Sequence, residues 1–239
     1  MQISNKVYCD DLFLNIEIEN KLLPNPYRDY AYLIIKNFLP ETICKEIAKF
    51  VKVKDDDFSD AKVKVEVELG IVQPKLKKEY RKTNIYKLNE LYESIYQKQF
   101  KKYQPMIEEY FSTALTFSTD IQVLEYTKGC FYIKHSDDSS ELLDGMGNTA
   151  GFLCVAPMRK ITTVLFATSF DEKVKSEFTF SGGELLFNYL SDSDGKTIKL
   201  EPKAGDMIVF PSNPYFSHEV LKVKKGYRLT LVQWHDGII

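Results

Sequence analysis

Tyr126-Thr-Lys-Gly-Cys-Phe-Tyr-Ile-Lys-His-Ser-Asp137 is the stretch on which the reading of this chain turns. Apolar and aromatic residues lead into His135, and Asp137 follows two positions later. Side chains of a strand alternate between its two faces, so His135 and Asp137 project together while Ser136 and Asp138 point away. A distant partner stretch, His218-Glu-Val-Leu-Lys-Val-Lys-Lys-Gly-Tyr-Arg228, brings a second histidine and an arginine. Two histidines and one carboxylate on one face of a metal leave coordination positions open. That donor set suits non-haem Fe(II) and oxygen chemistry.

The chain has three histidines, and His235, close to the C-terminus, is read as incidental. Arg228 follows His218 after a turn at Gly226, which predicts an arginine on the next antiparallel strand, close to the metal ligand. A buried arginine without a carboxylate is very costly. A dicarboxylic co-substrate that chelates the metal at one end supplies that carboxylate at the other, in bidentate pairing. The Tyr126 hydroxyl can donate to the same carboxylate. Tyr132 competes for that role, and both tyrosines also fit core positions. Thr163 is a candidate contact on the inner wall, and Trp234 is structural or part of the pocket wall.

Working outward, the chain from Thr119 reads as eight short strands: DIQVLEY, CFYIKHSD, ITTVLFAT, GGELLFNYL, KTIKLEP, DMIVFPS, SHEVLKV and GYRLTLVQW. Turn signals separate them at Thr127–Gly129, Ser181–Gly183, Ser191–Gly195, Ala204–Asp206 and Lys225-Gly226. This rhythm predicts a sandwich, barrel or jelly roll. Gly182-Gly183 suits a bulge or a close backbone approach, with Leu185 and Phe187 sharing the face beyond it. Asp206 is expected to fix its turn. The Asp138–Arg159 stretch reads as one long irregular loop, of the kind that is functional or disordered.

Before residue 118 the pattern is helical support. Tyr32–Phe38 reads as a short buried strand. Pro40-Glu41 opens a helix whose Ile43, Cys44, Ile47, Ala48 and Val51 form one apolar face and which stops near Lys54–Asp57. Ala61–Gln73 alternates as a half-exposed strand. The basic Lys75–Lys87 run reads as a solvated face with Tyr80 and Tyr86 packed inward, or as a lip for an acidic polypeptide. From Leu88 to Phe111 apolar residues recur every three or four positions, predicting a long amphipathic helix kinked or divided at Pro105. The expected fold is mainly β, a jelly-roll core over 119–239 buttressed by the helices and strands of 1–118, as one domain over 1–239.

A hydrophobic content of 44% and a charged content of 28% fit a packed globular chain and not a disordered one. Formal net charge is −2, so no general nucleic-acid surface is expected. Cys9, Cys44, Cys130 and Cys154 are scattered with no CxxC, which argues against zinc and thioredoxin-like sites. No signal peptide and no apolar run of about 18 residues is seen. A cytoplasmic enzyme with reduced thiols and no membrane partner is the expectation.

With these residues in view, the chain from about Phe38 to Trp234 resembles the Fe(II)/2-oxoglutarate-dependent dioxygenases of the prolyl 4-hydroxylase type. The resemblance runs through IQVLEYTKGCFYIKHSDD, FSGGELLF and KAGDMIVFPSNPYFSHEVLKVKKGYRLTLVQW. It implies a double-stranded β-helix core and Fe(II) on His135, Asp137 and His218. It implies 2-oxoglutarate chelating the iron, with its far carboxylate on Arg228 and Tyr126, O2 as co-substrate and ascorbate as reductant. Many relatives carry lysine where Arg228 stands. Asp137, where glycine or alanine would leave room for a halide, favours hydroxylation over halogenation. The nucleic-acid demethylase branch has a second arginine where this chain has Trp234. The implied reaction is hydroxylation of prolyl residues in a peptide or protein. A free amino acid or small metabolite is the alternative substrate. A non-catalytic jelly-roll metal-binding module is the alternative of another class, and the intact triad and arginine speak against it.

Overall fold

The computed structural model describes residues 7–9, 31–53, 59–60, 63–66, 72–75 and 81–238. Sixteen strands and two α-helices among the described residues position the site. First come β1 (Leu33–Ile35), α1 (Glu41–Val53), β2 (Arg81–Lys82), β3 (Asn84–Lys87), α2 (Glu90–Phe111), β4 (Ala114–Ser118) and β5 (Gln122–Tyr126). Next are β6 (Phe131–His135), β7 (Ser139–Leu143), β8 (Thr149–Cys154), β9 (Ile161–Phe166), β10 (Thr179–Gly182) and β11 (Leu185–Ser191). The last are β12 (Thr197–Leu200), β13 (Met207–Pro211), β14 (His218–Val220), β15 (Val223–Gly226) and β16 (Arg228–Ile238).

Two sheets form the roll. The major sheet runs β1-β13-β9-β16-β5-β3 and on to Ser59–Asp60, with β4 also on β16. The minor sheet runs β12-β11-β14-β6-β2. All eight strands expected after Thr119 form, and they are shared between the two sheets as a double-stranded β-helix requires.

The period-two alternation decides what each face of the major sheet meets. Leu165, Met207, Val209, Leu229 and Leu231 turn toward the helices, where they pack with Phe38, Ile47, Tyr96, Phe100 and Ile107. Val164, Phe166, Ile208, Phe210, Val232 and Trp234 turn into the roll against Leu185, Phe187 and Val220. A sheet buried on both faces gives the near-continuous apolar strands seen in the sequence. Each fully buried leucine, isoleucine or phenylalanine contributes roughly 1.5–3 kcal/mol relative to exposure.

Helix α1 buries Cys44, Ile47, Ala48 and Val51, the expected face, with Glu41 in its first turn. Helix α2 starts at an Asn89 cap, whose Oδ1 accepts from Tyr92 N at 2.9 Å. It ends at Ser112 in the left-handed region. It is not divided at Pro105 but runs through it as one helix. The support is pinned to the roll at the Ala204–Asp206 turn. Buried Asp206 pairs with Lys36 Nζ at 2.7 Å and accepts from Lys203 N at 3.2 Å.

Three further expectations change. Asp138–Arg159 is not irregular: β7 and β8 pair antiparallel across an Asp144–Asn148 turn. The Ala61–Gln73 strand is instead two short strands, Val63–Glu66 and Val72–Lys75, paired with each other. Tyr32–Phe38 shortens to Leu33–Ile35 because the chain turns at Asn37, whose φ is +52°. Tyr86 is buried as expected. Residues 1–6 and 10–30, where the sequence Pro24-Asn-Pro26 leads one to expect a turn, and residues 76–80 of the basic run lie outside the described residues. Among the described residues no helix is long and apolar enough to cross a membrane.

Candidate active site

Two cross-strand pairs hold the candidate residues. On the minor sheet His135, the last residue of β6, stands opposite His218, the first of β14. On the major sheet Arg228, the first residue of β16, stands opposite Tyr126, the last of β5. Arg228 is therefore not on the strand next to His218, as the Gly226 turn suggested. The intervening β15 pairs with β10, and the chain then crosses to the major sheet.

Both histidines are oriented by their own backbone. His135 Nδ1 lies 2.8 Å from the Ile133 carbonyl and His218 Nδ1 lies 2.9 Å from the Phe216 carbonyl. An Nδ1–H donated there leaves each Nε2 lone pair for a metal. The two Nε2 atoms stand 3.9 and 4.0 Å from the carboxylate oxygens of Asp137. Ligand atoms of all three residues lie within 4.8 Å of one another. The three donors therefore face one common point.

Strand β6 ends at His135, so Asp137 sits two residues past it, on the turn. Ser212 holds that turn: its carbonyl accepts from Asp138 N at 3.1 Å and from Ser136 Oγ at 2.9 Å. Ser136 Oγ also donates to Asp138 Oδ1 at 3.0 Å, so these two side chains face away from the cluster as expected. Thr162 Oγ1 donates to Asp137 Oδ2 at 2.7 Å and itself contacts Ser212 Oγ at 2.8 Å.

Electrostatics favour the ligating forms. Burial, and then the neighbouring His218, push His135 down to about 3, so its ring is neutral. For Asp137 burial opposes the charge. His218 and His135, the Thr162 hydroxyl and Arg159 outweigh it and hold the carboxyl below its ordinary value. Neutral imidazoles with an ionised carboxylate are the states a divalent metal needs.

Arg228 is 1% exposed. Its guanidinium lies 4.7 Å from the Tyr126 ring centroid and 5.1 Å from that of Phe166. It hydrogen-bonds the Tyr126 side chain, lies 3.4 Å from Thr230 Oγ1 and feels the charge of Glu184, while its Nε has no partner. Burial pulls its pKa down to about 10 against the opposing pull of Tyr126. A guanidinium this deep, with no carboxylate paired to it among the described residues, fits the far carboxylate of a 2-oxo acid. Gly183 leaves it room, for a Cβ there would meet Arg228 Cδ at 3.0 Å.

Tyr132 stacks on His135 with ring centroids 3.5 Å apart, so it belongs to the metal face, while Tyr126 belongs to the arginine. Thr163 does not face the site. One step along β9 from Thr162, it points to the helices, where its hydroxyl donates to the Gln233 carbonyl and contacts Tyr96 Oη at 3.2 Å and His235 Nε2 at 3.1 Å. His235 is neither incidental nor at a fraying end. It is fully buried in β16, stacked 4.5 Å from Phe100 and within 2.8 Å of Ser118 Oγ. Sequence reasoning missed Thr162 and Ser212, which brace Asp137, and also Arg159 and Arg81. Arg159 donates to the Asp137 carbonyl at 2.9 Å and lies 3.8 Å above Trp234. Arg81 lies 4.6 Å above Tyr132.

A double-stranded β-helix carrying two histidines and an aspartate on one face, with a buried arginine on its inner wall, defines a class of iron- and 2-oxo-acid-dependent oxygenases. Residues 121–236 match the family described as the 2OG-Fe(II) oxygenase superfamily. The family and the triad together imply Fe(II) and 2-oxoglutarate. Among solved structures, a prolyl-4-hydroxylase from Pseudomonas putida superposes with a TM-score of 0.60 at 19% identity, covering 88% of this chain and 94% of that one. A prolyl hydroxylase from Trichoplax adhaerens, solved in complex with a hypoxia inducible factor oxygen degradation domain peptide fragment, gives 0.60 at 17%, covering 89% and 86%. The viral collagen prolyl hydroxylase of Paramecium Bursaria Chlorella virus-1, in its 2OG complex, gives 0.57 at 18%, covering 87% and 97%. At these identities the likeness is one of fold. No curated protein sequence matches the chain.

Proposed function

We propose that the protein is an Fe(II)- and 2-oxoglutarate-dependent hydroxylase acting on prolyl residues of a peptide or protein, with release of succinate and CO2. The observation that carries the reading is the His135–Asp137–His218 cluster in one roll with the buried Arg228, whose Nε has no partner. Fe(II) with 2-oxoglutarate and O2, and ascorbate as reductant, supplies oxidising power for an unactivated C–H bond when bound.

The chain's own residues do the rest. His135 and His218 present Nε2, with each ring held by its Nδ1 bond. Thr162 donates to the Asp137 carboxylate, and Arg159 holds its backbone. Arg228, with the Tyr126 hydroxyl, receives the far carboxylate and so sets the register of the co-substrate. Phe166, Phe180 and Tyr126 surround that arginine and exclude water. Asp137, in place of a glycine or alanine, favours hydroxyl transfer over halide transfer.

The prolyl assignment draws support from the prolyl hydroxylases that share the fold, one of them solved with a peptide. A free amino acid or other small acid is the second reading, favoured by Arg81, another buried arginine with an unpaired Nε. The test is Fe(II)-dependent conversion of 2-oxoglutarate to succinate, followed by mass spectrometry for a one-oxygen gain on proline peptides and amino-acid pools. Metal-dependent succinate is expected. Its absence from correctly folded protein would remove the proposal.

A further inference from the structure

Arginine is scarce in this chain. Of 32 Lys and Arg residues only four are arginine: Arg28, Arg81, Arg159 and Arg228. Arg28 lies outside the described residues. The other three all reach the candidate site. Where lysine serves everywhere else, three arginines together point to a need for a planar, multi-donor cation.

Two of the three have work visible in the fold. Arg228 faces the co-substrate end, and Arg159 donates to the Asp137 carbonyl. Arg81 has no such work. It is 9% exposed, on β2 at the edge of the minor sheet, directly opposite Tyr132. Its guanidinium lies 4.6 Å above the Tyr132 ring, and that ring stacks 3.5 Å from His135. Its Nε has no hydrogen-bond partner, and no carboxylate pairs with it among the described residues. The charge is felt at His135, Tyr132 and Arg159, which places it beside the metal face and not at the remote Arg228 end. Trp234 Nε1, under Arg159, is a further buried donor without a partner.

Stacking on a tyrosine face offsets only part of the cost of burying a guanidinium. Its buried Nε–H, left without an acceptor, has room for one from outside the chain. The 2-oxo acid is spoken for by Arg228 and the metal, which leaves the primary substrate. Resting on the hydroxylase reading above, we infer that the primary substrate carries a carboxylate that Arg81 takes, one aromatic ring away from His135, while its oxidised carbon faces the triad. That carboxylate can be the α-carboxylate of a free amino acid or an acidic side chain near the target residue of a peptide. The chemistry at Arg81 is the same for both.

The test compares matched acids and amides with wild type, Arg81→Met and Arg81→Lys. One arm uses free amino acids, proline among them, against their carboxamides. The other uses prolyl peptides with Glu against Gln at each flanking position. The readout is the apparent KM and kcat of oxygen incorporation. Wild type should prefer the acid by roughly thirtyfold or more in one arm, which identifies the source. Arg81→Met should erase the preference through KM, and Arg81→Lys should restore part of it. No acid preference in either arm, or a preference that survives Arg81→Met, overturns the inference.

A second readout needs no substrate. A merely structural arginine would cost stability when removed, whereas an orphaned one would not, so Arg81→Met should melt at or above the wild-type temperature. A fall of about 4 °C or more would assign Arg81 a structural role and overturn the inference. Wild-type succinate formation without added substrate is the control. If it fails, the hydroxylase reading fails, independently of Arg81.

Discussion

At the scale of single residues, the site is a set of donors whose freedom has been removed by neighbours. Asp137 has the most to lose. The Thr162 hydroxyl donates to its carboxylate at 2.7 Å. Thr162→Val keeps the shape and deletes that bond, so metal affinity should fall by roughly 10–100-fold. Equilibrium titration with Fe(II) or Co(II) checks this, and an unchanged affinity would mean that Thr162 does not support the ligand. Arg228→Ala should raise the 2-oxoglutarate concentration needed for half-maximal succinate formation by at least tenfold, about 1.4 kcal/mol or more, with a smaller effect on the maximal rate. The triad was legible because its near pair is local and its far member sits in a motif. Thr162 and Ser212 were not, because each meets Asp137 or its neighbours only through the pairing of distant strands. Thr163 was chosen one residue away from the right one. Neither neighbour of the Thr-Thr pair carries a sequence mark, and only the face of β9 separates them. The scarcity of arginine was a signal available in the sequence, and it would have led to Arg81 and Arg159.

At the scale of elements, the junction between the helical support and the roll rests on one turn. Gly205 has φ +92°, and a Cβ there would lie 2.2 Å from the Leu39 carbonyl oxygen. The clash is with backbone, so it cannot be relieved by a rotamer. Gly205→Ala should therefore cost several kcal/mol, roughly 2–4, in denaturant unfolding. Less than about 0.5 kcal/mol would show that the turn moves freely. The eight roll strands and α1 could be read because alternation and helical spacing agree with local turn chemistry. The β7–β8 hairpin could not be read as easily. Its strand residues mix polar and small types, and its turn spans five residues. Asp144 nevertheless holds that turn, with Oδ1 accepting from the amides of Met146 and Asn148 at 2.8 Å each. The Asp-Gly pair was the local clue. The hairpin lies directly after Asp137, and Lys134, one residue before His135, ties to it through Glu141 at 2.6 Å.

At the scale of the whole molecule, the major sheet separates two chemistries. One face looks into the roll and carries Arg228, Thr230, Val232 and Trp234. The other looks to the helices and carries Leu229, Leu231, Gln233 and His235. His235 sits in that second layer, pushed down to about 3 by burial. Its folded value lies below its ordinary one, so the unfolded chain takes up the proton first. The stability this implies is fully present above about pH 6.5 and is lost as pH falls from there toward 3, by up to about 1.4 kcal/mol per pH unit. The stability difference between wild type and His235→Gln should shrink by that slope between pH 6.5 and 4.5, measured by denaturant titration. A constant difference would mean that His235 does not titrate with unfolding. The central claim concerns the roll's interior, where metal face and arginine are meant to act on one co-substrate. Anaerobic calorimetric titration of Fe(II), then of 2-oxoglutarate, tests it most directly in wild type, His135→Ala and Arg228→Ala. Wild type should bind one Fe(II) and then one 2-oxoglutarate, His135→Ala should lose the metal and with it the 2-oxoglutarate, and Arg228→Ala should keep the metal while weakening the 2-oxoglutarate. Binding of 2-oxoglutarate that is indifferent to both substitutions would contradict the account.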